Sequence, residues 1–219
     1  MSTRMSGDDV PSAIDFRDPA QAKAWTATTM ARRPYRTQFF AAFVAAIHDR
    51  FPQSLSLLEL GSGPGHLAEQ LLRHCEISRY VALDFSAAMH DLARENLGAL
   101  ASKVEFVERD FRAADWPKGL GLFDCVVTMQ AAHETRHKRH LPDFLSRARQ
   151  CLAPGGMLLY CDHYWEAGTA KNPELDASAE EQPIALRSAG FTHVEKLLDM
   201  GGMALFAAVN SNRPAGRTP

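Results

Sequence analysis

The sequence predicts an α/β protein built on a seven-stranded, mostly parallel sheet, with helices on both faces and an antiparallel C-terminal strand. Three observations carry that expectation. From residue 54 onward, short apolar runs alternate with segments of helical period. The first run opens into a glycine-rich turn, Gly61-Ser62-Gly63-Pro64-Gly65. The last two runs are separated by Gly201-Gly202 alone. Strands that alternate with helices imply right-handed crossovers and a parallel sheet covered on both sides. Two glycines between strands make a hairpin instead, so the last strand reverses direction.

Taken in order, a helix over about Pro19 to Met30 precedes PYRTQFFAAFVAAIHDRF (34–51), whose apolar residues recur at helical spacing behind a tolerated first-turn proline. SLSLLEL (54–60) is a strand and LAEQLLRHC (67–75) a helix. RYVALD (79–84) is the second strand, followed by a helix from Ser86 to Leu100. KVEFVERD (103–110) alternates as a third strand, and FDCVVTMQ (123–130) reads as a buried fourth. LPDFLSRARQCL (141–152) is helical and stops at Pro154-Gly155-Gly156, with MLLYCD (157–162) as strand five. EEQPIALRSAG (180–190) is the last helix, before FTHVEKLLDM (191–200) and MALFAAVN (203–210).

At 219 residues the chain suits one domain. Residues 1–50 form an N-terminal helical lid region, 51–210 the core, and 211–219 a frayed tail. A hydrophobic share of 46% and a charged share of 23% are those of a globular protein in water. A net charge of −2 supplies no field for nucleic acid or acidic membranes. Cys75, Cys125, Cys151 and Cys161 lie in or beside apolar runs without a Cys-x-x-Cys pair, so they read as reduced thiols rather than metal ligands. With no apolar leader and no apolar stretch near 20 residues, the chain reads as cytoplasmic, without a membrane span. Oligomeric state stays open between monomer and homodimer.

The strongest chemical signal is Glu59-Leu60-Gly61-Ser62-Gly63-Pro64-Gly65, between a strand and a helix. Glycine admits positive φ and close backbone approach, and a helix start points free N–H groups at a ligand. Asp84 ends the second strand, where an acid can accept from both ribose hydroxyls, and Asp110 ends the third, near where an adenine would lie. Acids at successive strand tips point to one nucleoside-binding crevice.

These segments together resemble the class I methyltransferases that use S-adenosylmethionine (SAM), whose sheet is Rossmann-like. LLELGSGPGHLAEQL resembles that family's first motif. VALDFS and FVERDF match its second- and third-strand acids, FDCVVTMQAAHE its fourth-strand motif, and CLAPGGMLLYCD its fifth-strand region. SAGF before the hairpin is also typical, and the resemblance spans roughly 50 to 210. It implies that Glu59, Gly61, Ser62, Gly63 and Gly65 hold the amino-acid end of SAM and Asp84 the ribose. Phe85 and Phe111 would flank adenine, Asp110 would lie near its amino group, and Gln130 would approach the sulfonium. His66 stands where a nicotinamide-binding loop would place its third glycine, and Asp110 with the hairpin favours SAM further.

His133 is the candidate general base, with Glu134 second, because an oxygen nucleophile of high pKa gains from proton removal. His133-Glu134-Thr135-Arg136-His137 also spells a zinc-protease pattern, which requires both histidines on one helix face. No metal site is expected. Asp162 and His163 reach the same crevice. Arg136, Lys138 and Arg139 could attract an anionic acceptor or form a solvated face. Trp25, Tyr35 and Trp165 are candidates for an apolar lid. The expected function is methyl transfer to an oxygen or nitrogen of a small-molecule acceptor. The alternatives are a non-catalytic SAM-binding sensor or an enzyme acting on protein or RNA.

Overall fold

The computed structural model describes residues 9–209. The first eight residues, Asn210 and the tail expected over 211–219 lie outside the described residues.

Helix α1 (Pro19–Arg32) starts where Asp18 accepts from the backbone N–H groups of Ala20 and Gln21, with Pro19 in the first turn. Helix α2 (Arg36–Arg50) buries Phe39, Phe40, Phe43 and Ile47, one stripe of helical period. The alternation then follows as β1 (Leu55–Leu60), α3 (His66–His74), β2 (Ile77–Asp84), α4 (Ala87–Leu97) and β3 (Val104–Glu108). It continues with β4 (Phe123–Met129), α5 (Leu141–Gln150), β5 (Leu152–His163) and α6 (Glu181–Ser188). The hairpin strands β6 (His193–Met200) and β7 (Met203–Val209) close the fold.

Seven strands form one sheet in the order β3-β2-β1-β4-β5-β7-β6. Strand β7 lies between β5 and β6, antiparallel to both, and the remaining pairs are parallel. Alternate residues of each strand serve opposite faces. Leu58, Leu60, Val81, Leu83, Val126 and Leu158 pack under α5 and α6. Leu55, Leu57, Ala82, Cys125, Val127 and Leu159 pack under α2 and α3. The strand order reverses between β1 and β4, which opens a crevice at their carboxyl ends, where such sheets take ligands.

Of the boundaries that differ from the sequence reading, two bear on the site and its sheet. Strand β5 begins at Leu152 and runs through Pro154-Gly155-Gly156, where the register against β4 shifts. A Cβ on Gly156 would lie 3.0 Å from the Asp124 carbonyl, so the glycine lets the chain stay against β4 through the irregularity. Strand β3 stops at Glu108, which leaves Asp110 on the following turn. All four cysteines are free. Among the described residues, no helix is long and apolar enough to cross a membrane.

Candidate active site

The glycine turn is shaped by positive φ angles of 70° at Gly61, 52° at Gly63 and 81° at Gly65, a region open to glycine at little cost. Gly61 packs against Ala131 so closely that a Cβ there would overlap the alanine's. Glu59, at the end of β1, is buried and accepts a 2.7 Å hydrogen bond from the Tyr80 hydroxyl. Burial pushes its carboxyl up to about 8, with the Tyr80 bond pulling the other way. Asp84 accepts from the Gly63 N–H at 2.8 Å and, on its other oxygen, from the Ser86 N–H at 3.0 Å. Burial raises it to about 6 against the pull of those backbone donors.

At the tip of β4, Gln130 holds a φ of 56°, rare for a residue with a side chain. Its Nε2 lies 2.7 Å from Nε2 of His163, and its Oε1 is buried without a partner. Three residues on, Nδ1 of His133 lies 2.8 Å from Oδ1 of Asp162, and the His133 N–H donates to Oδ2 at 3.0 Å. Burial alone would depress the His133 pKa. The Asp162 carboxylate outweighs it, with Glu134 and Asp176 adding, and lifts the ring to about 9. Burial drives His163 the other way, down to about 3, so that ring is neutral. Nε2 of His133 is 3.5 Å from Glu134, whose other oxygen pairs with Arg136 at 3.0 Å.

Glu59, Gly61, Ser62, Gly63, Asp84, Phe85, Phe111, Gln130, His133 and Glu134 line one cavity of about 430 Å³, within the range of small-molecule sites. Gly65 and Asp110 stand outside it. Gly65 precedes α3 and packs against Ala93. The Asp110 carboxylate is taken by Arg112 at 2.7 Å and Arg17 at 3.4 Å, in an adjoining cleft. Arg17 also covers the Phe85 ring, 4.6 Å from its centroid.

The cavity is roofed by residues 10–14, Phe16 and Trp25. Arg136 pins that strap by donating to the carbonyls of Val10 at 2.8 Å and Pro11 at 2.6 Å. Arg136, Lys138 and Arg139 are each ion-paired, with Glu134, Glu181 and Asp9. Of the three aromatics considered for a lid, Trp25 lines the cavity, whereas Tyr35 bonds the Gly201 carbonyl and Trp165 bridges to Ser178. The His-Glu-x-x-His segment, 133–137, runs from a 3-10 turn (132–135) into a bend ahead of a second 3-10 turn (138–140), so its histidines do not share an α-helical face.

A family model described as a methyltransferase domain matches residues 57–156, from within β1 through the glycine turn to the Gly156 irregularity of β5. Over that span the chain is similar to methyltransferase domains. The chain is 30% identical over 174 residues to a highly reducing polyketide synthase of Emericella nidulans, across 67% of the chain and 7% of the synthase. The chain spans 7%, 4% and 2% of the length of the first three curated relatives it matches. It shares its fold with an O-methyltransferase family protein from Burkholderia thailandensis, at 21% identity and a TM-score of 0.71, over 90% of this chain and 62% of that one. The solved DhpI–SAH complex is similar too, at 22% identity and a TM-score of 0.65, over 89% of this chain and 95% of that one.

The cavity wall fits SAM, the cofactor that the sequence resemblance implies. Its floor carries buried acids, two aromatic rings flank it, and Ser62 Oγ and Gln130 Oε1 are buried polar atoms without protein partners. Sequence reasoning missed the strap, the pinning role of Arg136, and the wall residues Arg33, Arg36, Lys171 and Asp176. None of these carries a motif; they are assembled by contacts between distant parts of the chain.

Proposed function

We propose that this chain is a SAM-dependent methyltransferase that transfers the methyl group of SAM to an oxygen or nitrogen of a small-molecule acceptor, with His133 as general base. SAM, when bound, supplies a methyl carbon already activated by a sulfonium. Glu59 and the Gly61–Gly65 turn take its amino-acid end, Asp84 the ribose hydroxyls, and Phe85 and Phe111 the adenine. Asp110 acts through Arg17, whose guanidinium covers Phe85. Gln130 borders the sulfonium side, and residues 9–50 serve as the lid over the core that follows.

The observation that carries the reading is the His133–Asp162 pair. Asp162 fixes the ring through Nδ1, which leaves Nε2 as the atom that exchanges a proton with the acceptor. With a pKa of about 9 the free ring is charged at neutral pH. A sulfonium in the cavity disfavours that charge and moves the ring toward the neutral base. Such a base suits a hydroxyl; a neutral amine attacks without one, so oxygen is the preferred acceptor atom. Glu134, engaged by Arg136, assists by holding the strap. A roofed cavity of about 430 Å³ and the absence of a basic field support a small acceptor over RNA or protein.

The test is transfer of tritiated methyl from SAM to a panel of phenols, hydroxy acids and amines. Label in the O-methylated products of the hydroxylated acceptors, lost on His133→Ala while S-adenosylhomocysteine (SAH) still binds, is the expected result. Tight SAM binding without transfer to any panel member or to cell extract would point to a sensor.

A further inference from the structure

Arg33 and Lys171 line the cavity from distant parts of the chain, Arg33 at the end of α1 and Lys171 in the loop between β5 and α6. That loop is held in place: Trp165 bridges to Ser178, and the Glu174 carbonyl accepts from the Lys138 N–H at 2.8 Å. Both cations are half-buried. Among the described residues, no carboxylate lies within ion-pair distance of either. Glu134 is taken by Arg136, Asp162 by His133, Glu59 by the Tyr80 hydroxyl, and Asp84 by the N–H groups of Gly63 and Ser86. Asp176, also on the wall, acts on Lys171 only through its field. Burial holds the Lys171 ammonium below the ordinary lysine value; Asp176 pulls it back up, and Arg33 adds to the depression. Lys171 and Arg33 both add to burial in depressing His163, at the tip of β5. The groups that act on Glu59 and His66, beside the glycine turn, include neither cation. The pair therefore belongs to the His133–His163 end of the cavity. Partly desolvated cations without a counter-charge are unfavourable unless an anion completes the site. By contrast, Arg136, Lys138 and Arg139, the cations that the sequence offers to an anionic acceptor, are each ion-paired. Arg33 and Lys171 set against Asp176 leave one positive charge, which suits a carboxylate better than a phosphate dianion. Met129, Ala170 and Leu175 add apolar wall for the body of such a molecule.

We infer that Lys171 and Arg33 form the binding site for a carboxylate on the acceptor, so that the acceptors are hydroxy acids whose hydroxyl reaches Nε2 of His133. The inference rests on the reading that this cavity takes SAM with His133 beside the acceptor, and it narrows the small molecule to an anionic class. Both residues lie outside the matched span 57–156, in the parts of the chain that carry no motif. They select the acceptor and move no proton.

The test is calorimetric binding to the full chain loaded with SAH. The probes are para-hydroxybenzoate, para-hydroxyphenylacetate, para-hydroxyphenylpropanoate and mandelate, each beside its primary amide, which keeps the shape and removes the charge. At least one acid should bind wild type tenfold or more tightly than its amide. Lys171→Met and Arg33→Met should each weaken that acid several-fold while changing its amide and SAH less than twofold, which also reports that the variants are folded. Lys171→Arg should keep the preference for the acid. If Arg33→Met does not fold, Lys171→Met and Lys171→Arg carry the comparison. An acid preference untouched by either methionine variant, or a loss of SAH affinity in parallel with the acid, would overturn the assignment. Wild type that binds SAH but prefers no acid to its amide would remove this site alone; wild type that does not bind SAH would remove the SAM reading and this site with it.

Discussion

Asp162 contacts His133 twice, once at the ring and once at the backbone: Nδ1 lies 2.8 Å from one carboxylate oxygen while the N–H donates to the other at 3.0 Å. The second bond ties the start of the 132–135 turn to the end of β5. The ring is therefore held in place by the same carboxylate that sets its charge.

That double contact separates two substitutions. His133→Ala should lower turnover by about 10²–10⁴-fold, the usual share of a positioned base, with SAH affinity nearly unchanged. Asp162→Asn removes the charge that raises the ring, so the rising limb of the pH–rate profile, expected to extend toward pH 9 in wild type, should shift to lower pH. Steady-state rates across pH 6–10 check both.

The pair also makes stability depend on pH. The folded His133 pKa of about 9 exceeds the ordinary histidine value of 6.5. Its contribution is present in full below pH 6.5 and is lost as pH rises through 9. Glu59 acts in the same direction over an earlier window, since its folded value of about 8 exceeds 4.5. Its burial therefore erodes stability as pH rises from about 4.5 to 8. Denaturation midpoints should fall across pH 6.5–9, less steeply in His133→Gln above pH 8, and less steeply in Glu59→Gln below it.

Glu59 predicts a proton released on binding. The free protein holds Glu59 protonated at pH 7, whereas pairing with a ligand ammonium favours the carboxylate. Calorimetry of SAH binding at pH 7 in buffers of different ionisation heat should show release approaching one proton, abolished in Glu59→Gln.

The glycine turn offers a contrast between neighbours. Gly61→Ala places a Cβ onto Ala131 at a φ of 70°, and the overlap with backbone strain should cost on the order of 3 kcal/mol. Gly63→Ala meets nothing within 4 Å and should cost about 1 kcal/mol from its φ alone. Chemical denaturation of the two variants measures the difference.

The sheet was readable because its signals are local. The glycine turn after β1, the acid ending β2 and the Gly201-Gly202 hairpin each announce themselves within a few residues, and β7 does run antiparallel between β5 and β6. Boundaries blurred where glycine served a bulge, as at Gly156 within β5. The cavity floor was readable for the same local reason, since Glu59, Asp84, Gln130 and His133 stand at strand ends. Its roof was not. The bonds from Arg136 to Val10 and Pro11 join residues more than 120 apart, and such contacts leave no period or motif. The pairing of His133 is hidden from sequence for the same reason: Asp162 ends a strand at the crevice, but 29 positions separate it from the ring it holds.

The central claim is that one adenosyl ligand lies across the tips of β1, β2 and β4 with its sulfur toward His133. A crystal structure of the SAH complex tests it most directly. The account predicts ribose hydroxyls on Asp84 and the sulfur on the Gln130–His133 side of the cavity, beneath the 10–14 strap. A ligand seated elsewhere, or with its sulfur turned away from His133, would contradict it.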